Sequence, residues 1–156
     1  MNTNLIKAVG CAAVLFLGLC QASGRAIYPE PNQAEADLAA ALQTASAEHR
    51  RVIVDFGGNW CPDCLALDVY FHDDANKSML EANFVLVHVN VGRLDRNLNI
   101  AQRFQIPLNK GVPALAVLDS NGLLIYSQHT GEFEAMRKMQ PSAVTQFLQR
   151  WKPPAG

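Results

Sequence analysis

Cys61-Pro62-Asp63-Cys64 places two thiols in one short stretch, directly after Trp60 and a few residues beyond the apolar run Val52-Ile53-Val54. Two residues between the cysteines set both sulfurs on the first turn of a helix, where they can close a disulfide and where the turn's free amides favour a thiolate. The chemistry this pattern predicts is reversible thiol-disulfide exchange. Cys61, at the helix start and nearer the unsatisfied amides, is the expected nucleophile; Cys64 would then attack Cys61 to resolve the mixed disulfide. A structural disulfide or half of a zinc site is the plainer reading, but zinc takes four ligands. Neither a second Cys-x-x-Cys nor a His pair at finger spacing occurs in the chain.

Further candidates surround the dithiol. Asp55, in the apolar run ahead of it, would be buried beneath the sulfurs and could accept the proton of Cys64 as that thiol turns nucleophile. Trp60, Pro62 and Asp63 would form surface that a substrate meets, since an aromatic beside a reactive thiol supplies contact area for docking. A negative Asp63 between the sulfurs opposes thiolate formation and favours a reductant over an oxidant. His88, alone in an apolar strand, reads more simply as a satisfied core histidine than as a participant. No cofactor beyond the dithiol itself is expected. Two alternatives have a different outcome: a disulfide oxidase using the same residues, and a carrier holding Cu(I) between Cys61, Cys64 and His72.

These groups need elements to hold them. Asn32 and Glu35 mark a helix start, and Leu38, Ala41, Leu42 and Ala45 recur on one helical face. Val52 to Phe56 reads as a strand buried on both faces and stopped by Gly57-Gly58, which places the cysteines at the carboxyl end of a sheet, where open α/β folds put their sites. The dithiol helix should run to about Tyr70. Asp73 or Asp74 would cap a second helix ending near Glu81. Residues 84 to 91 give the strongest strand signal and are expected at the centre of the sheet. Ile100, Ala101 and Phe104 predict a short helix. Ser120-Asn121-Gly122 between two apolar runs predicts an antiparallel hairpin, and Pro141-Ser142 opens a last helix with Val144, Phe147, Leu148 and Trp151 on its apolar side.

The 156 residues carry a formal net charge of −1 with no Lys/Arg cluster, which argues against nucleic acid as a partner. Lys7 followed by the apolar stretch Ala8 to Cys20 and small residues at Ala22, Ser23, Gly24 and Ala26 reads as an export signal over residues 1–26, cleaved at about 22–26. One domain, residues 27–156, would follow. The mature chain would hold only Cys61 and Cys64 and would be periplasmic or secreted. Leu17-Gly18-Leu19-Cys20 hints at a lipid-attachment site, though Leu19 is bulky for one. The stretches Tyr28-Pro29-Glu30-Pro31 and Pro153-Pro154 read as solvated tails.

The order helix, strand, Trp-Cys-Pro-Asp-Cys helix, strand, helix, Val-Pro, hairpin, helix resembles the thioredoxin fold over about residues 33 to 151. This is an α/β fold with a mixed central sheet, helices on both faces and a C-terminal antiparallel hairpin plus helix. Val54-Asp55-Phe56 stands before Cys61 as the Asp of the thioredoxin strand stands before its first cysteine. Gly111-Val112-Pro113 is similar to the loop that carries that family's cis-proline. Tyr70-Phe71-His72-Asp73-Asp74 is similar to the C-terminal domain of the transmembrane disulfide reductase DsbD and its small secreted relatives. The resemblance implies a protein-disulfide oxidoreductase, a cis bond at Pro113 that lets the Val112 backbone pair with an extended substrate, and a membrane-embedded reductase as electron donor. The chain departs from the family at Gly57-Gly58, where thioredoxin has Trp-Ala, at His88, where it has the Lys that pairs with the buried Asp, and at Leu108-Asn109-Lys110, which lengthens the loop before Pro113.

Overall fold

A computed structural model describes residues 26–154. Almost all of the expected export signal, with Cys11 and Cys20, therefore lies outside the described residues. Within them the apolar periodicities become α1 (Ala34–Glu48), β1 (Arg51–Gly57), α2 (Pro62–Phe71), α3 (Lys77–Asn83), β2 (Phe84–Asn90), α4 (Leu98–Arg103), β3 (Ala114–Leu118), β4 (Leu124–Ser127) and α5 (Ser142–Trp151). A 3-10 turn over Pro31–Gln33 feeds α1, so the expected Asn32 cap is replaced by a proline-initiated turn with no side-chain cap bond.

The four strands form one mixed sheet in the order β2-β1-β3-β4. β1 runs parallel to β2 and antiparallel to β3, and β3 pairs antiparallel with β4. β2 is therefore an edge strand, not the central one that its apolar run predicts. Helices cover both faces of the sheet, so an edge strand here is apolar for the same reason a central one is. β1 is the inner strand beside it, buried from Val52 to Gly57.

Side chains alternate across β1. Val52, Val54 and Phe56 pack with α1 and α4 in one core, and Ile53 packs with α2, α3 and α5 in the other. Asp55 shares the Ile53 face and so lies on the side that α2 covers. At the hairpin only Gly122 of the Asn-Gly pair takes a positive φ, 83°. The Asp119 carboxylate accepts from the backbone N–H of Asn121 (2.9 Å) and Leu123 (2.8 Å), holding the turn. The Tyr70–Asp74 segment is fixed by buried Asn76, whose side-chain amide donates to the Tyr70 carbonyl while Thr145 donates to its oxygen at 2.7 Å.

Candidate active site

β1 ends at Gly57 and the chain turns through Gly58, Asn59 and Trp60 before Pro62 opens α2. Cys61 is the N-cap of that helix: its backbone is extended (φ −96°, ψ 107°), and its Sγ accepts the N–H of Cys64 at 3.1 Å. A sulfur in that position is stabilised as an anion by the amide and by the helix dipole. Cys61 and Cys64 are joined in a disulfide with their Cα atoms 5.2 Å apart. Cys61 is 4 % exposed and Cys64 0 %. The order of access is the expected one, although the opening at Cys61 is narrow.

The Val112-Pro113 peptide bond is cis, and the Val112 carbonyl oxygen lies 3.6 Å from Cys61 Sγ. Gln128, buried on β4's exit, holds this loop with its side chain: its Oε1 accepts from Leu115 N–H at 3.1 Å and its Nε2 donates to the Pro113 carbonyl at 3.4 Å. Sequence reading missed Gln128, which carries no local signal. Trp60 is 39 % exposed; its indole N–H donates to the Gly92 carbonyl and the Arg93 guanidinium lies 5.0 Å over its ring. Arg93 and Gly92 thus hold an apolar surface open beside the cysteines.

Asp63 is not the bare charge that the sequence implies. Arg137 binds it with its backbone N–H at 2.9 Å and its guanidinium at 3.1 Å. Burial pushes the Asp63 carboxyl upward, but the Arg137 hydrogen bonds and charge outweigh that and hold it below the usual carboxylate range. Its field at the sulfurs is offset by that cation. His72 is not brought to the dithiol. It caps the far end of α2, one ten-residue helix away (roughly 15 Å at helical rise), with its Nδ1 2.8 Å from the Asp68 carbonyl oxygen. The ligand set of the copper alternative is therefore not assembled.

Beneath the dithiol, Asp55 is fully buried and pairs in register with His88 across β1 and β2. His88 Nδ1 lies 2.9 Å from Asp55 Oδ2, and its Nε2 lies 3.4 Å from Asp68 Oδ1. Burial alone would lower the His88 pKa, but the Asp55 hydrogen bond, the Asp68 contact and both negative charges push it up to about 9. His88 is thus a cation held between two carboxylates. It stands where the resemblance to thioredoxin expects lysine, as a largely buried histidine with both ring nitrogens partnered.

The same Asp55 oxygen accepts a 2.6 Å hydrogen bond from the hydroxyl of Tyr28, which is 1 % exposed. Tyr28-Pro29-Glu30-Pro31 is therefore no solvated tail. Asn59 Oδ1 accepts from the N–H groups of Ile27 and Tyr28, both at 3.0 Å, and its Nδ2 donates to the Tyr28 carbonyl at 2.8 Å. Asn90 and Asn97 donate to the carbonyls of Pro29 (2.8 Å) and Pro31 (2.9 Å). Three asparagines thus clip the segment over the end of the sheet. The signal for this was composition: Asn59 in the turn before the cysteines, Asn90 at a strand end and Asn97 in the next loop are all polar groups at a site edge.

The Gly57-Gly58 departure also has a spatial reason. A Cβ on Gly57 would lie 2.5 Å from Tyr28 Oη and 2.8 Å from Cys64 Sγ, and one on Gly58 would lie 2.6 Å from the Trp60 indole nitrogen. Neither position has room for a side chain.

A fold of this topology with a Cys-x-x-Cys disulfide at the head of α2 and a cis-proline loop against the first sulfur defines a class. A thioredoxin-like family model matches residues 33–120, and the chain belongs to that family. The crystal structure of a disulphide isomerase from Xylella fastidiosa Temecula1 is similar at 31% identity, with a TM-score of 0.77 over 82% of this chain and 98% of that one. A thioredoxin from Thermus thermophilus shares the fold at 22% identity and a TM-score of 0.52, over 79% of this chain and 83% of that one. Among curated proteins nothing matches. Family and dithiol together make this a thiol-disulfide oxidoreductase with protein disulfides as its substrate class.

Proposed function

We propose that the chain is an exported, periplasmic oxidoreductase that reduces or isomerises protein disulfides, with Cys61 as nucleophile and Cys64 as resolving thiol. The observation that carries this reading is the seat of Cys61 Sγ: capped by the Cys64 amide, set against the Val112 carbonyl, and backed by the buried Asp55. The Cys61 thiolate attacks one sulfur of a substrate disulfide; the other substrate sulfur leaves with the electron pair. Cys64 gives up its proton and attacks Cys61 Sγ. The second substrate sulfur departs, and the Cys61–Cys64 disulfide is formed. Two electrons have passed to the substrate. Trp60, Pro62, Asp63, Val112 and Pro113 form the surface on which the substrate lies.

Similarity to a protein named a disulphide isomerase supports the reducing and reshuffling side over the oxidising one. The export reading rests on Lys7 and the apolar stretch after it. A membrane-embedded reductase of the DsbD kind is the donor the compartment calls for. Insulin-disulfide reduction tests the activity: turnover in the wild type that disappears in Cys61→Ser supports it, and turnover that survives that change overturns it. Equilibration with glutathione buffers tests direction, with a potential near roughly −270 mV expected and one near roughly −120 mV pointing to an oxidase. Cys64→Ser in the native host should trap substrates and donor as mixed disulfides through Cys61.

A further inference from the structure

Cys64 must lose a proton before it can resolve the mixed disulfide, and it is completely buried. The nearest base that the sequence offers is Asp55. Its Oδ2 is already taken by Tyr28 and His88, while its Oδ1 is buried without a hydrogen-bond partner. The group that touches Asp55 and borders the same hollow as Cys64 is the Tyr28 hydroxyl. It shares with Cys64 Sγ the hollow left by the missing Gly57 side chain, and it donates to Asp55 Oδ2 at 2.6 Å.

We propose that Tyr28 is the proton relay of the resolving step. The Cys64 S–H gives its proton to Tyr28 Oη as the Tyr28 O–H passes its own to Asp55 Oδ2. The Cys64 thiolate then attacks Cys61 Sγ, and the Cys61–substrate bond breaks with its electron pair leaving on the substrate sulfur. The tyrosine ends neutral, and Asp55 ends protonated. In the reverse direction the same hydroxyl returns the proton to Cys64 as the disulfide opens. This assignment rests on the oxidoreductase reading above.

Three observations bear on it independently. Burial, and then the adjacent Asp55 charge, push the Tyr28 pKa well up, so the phenol stays neutral and works by passing a proton on, not by standing as a phenolate base. Asn59, Asn90 at the end of β2 and Asn97 bond the backbone of Tyr28, Pro29 and Pro31 and hold the segment that carries the tyrosine in place. The network that Asp55 belongs to also reaches a cavity: His88 lies between Asp55 and Asp68, and Asp68, His72, His88, Ala26 and Ile27 line a hollow of about 510 Å³. The titratable groups facing the relay are thus Asp55 from β1, His88 from β2, Asp68, His72 and the two cysteines from the α2 region.

Reacting the reduced protein with dithiobis-nitrobenzoate separates the steps, because attack by Cys61 and resolution by Cys64 each release one coloured thiolate. In Tyr28→Phe the first release should keep its rate. The second should slow about a hundredfold, the low end of what a positioned acid-base group supplies, and should move its rise to higher pH. Incorporating 3,5-difluorotyrosine at position 28 keeps the hydroxyl and lowers its pKa. It should restore the second release and move its pH profile to lower pH. A second release in Tyr28→Phe matching the wild type in rate and pH profile overturns the relay and leaves the oxidoreductase reading standing. No release from the wild-type protein in either phase overturns that reading instead. Should Tyr28→Phe fail to fold, the fluorinated protein decides alone: a pH profile identical to the wild type overturns the relay.

Discussion

On the flank of the dithiol that faces the N-terminal segment, the groups are ionisable and buried: Tyr28, Asp55 and His88, with Asp68 behind them. On the opposite flank, the Val112 carbonyl and the Asp63–Arg137 pair present backbone and a compensated charge. The first flank can move protons but cannot touch a protein substrate. The second can lie against an extended chain, and its Asp63 carboxylate is already engaged by Arg137. In the proposed reaction Cys61 meets the substrate and Cys64 needs the base, so catalysis by two sulfurs divides along the same line. The two flanks should therefore fail separately.

The largest separation should come from Asp55→Asn. With no base below Cys64, resolution should slow by about 10² to 10⁴ while alkylation of reduced Cys61 by iodoacetamide keeps its rate. Equal slowing of both steps would erase the distinction between flanks. Next comes His88→Ala, which leaves the Asp55 carboxylate buried without its cation and should cost about 3–5 kcal/mol in urea unfolding at neutral pH. The wild type supplies a companion measurement. The folded His88 value of about 9 exceeds the unfolded value near 6.5, so its contribution is complete below pH 6.5 and is lost as pH climbs through about 9. The loss in His88→Ala should shrink over that window, and a loss independent of pH would show that His88 is not held as a cation.

Gly57→Ala drives a methyl between Tyr28 Oη and Cys64 Sγ and should cost about 1–3 kcal/mol, with the resolving step slowed along with it. Gly58→Ala meets only the Trp60 ring and should spare resolution. Smallest is Arg137→Ala, which frees the half-buried Asp63 charge. The Cys61 thiol pKa, read from the pH dependence of alkylation, should rise modestly and the resolving rate should stay put. A fall in that pKa would mean that Asp63 does not act on Cys61 through its charge.

What the chain displayed locally, it displayed well. The spacing of Cys61 and Cys64 and the apolar run ending at Gly57-Gly58 each report an element and its end, because helix and strand periods are short-range properties; the Val112-Pro113 step was legible only through the family resemblance. What the chain hid depends on residues that meet from afar. Tyr28 reaches Asp55 across 27 positions, Asn90 reaches Pro29 across 61, and Arg137 reaches Asp63 across 74. No periodicity records such meetings, so a docked segment looked like a tail and a paired carboxylate looked bare. His88 was hidden differently. Its neighbours mark it as core, and only the strand register sets it opposite Asp55. β2 was misplaced for a related reason: its composition reports that helices lie above and below, and says nothing of who lies to its side.

The asparagine clips also order events in time. Residues 27–31 leave the ribosome before Asn59, Asn90 and Asn97 exist, so this stretch waits for its anchors to be made and folded. A half-built molecule already holds both thiols and the Tyr28 hydroxyl, yet lacks two of the three clips that seat the segment carrying it.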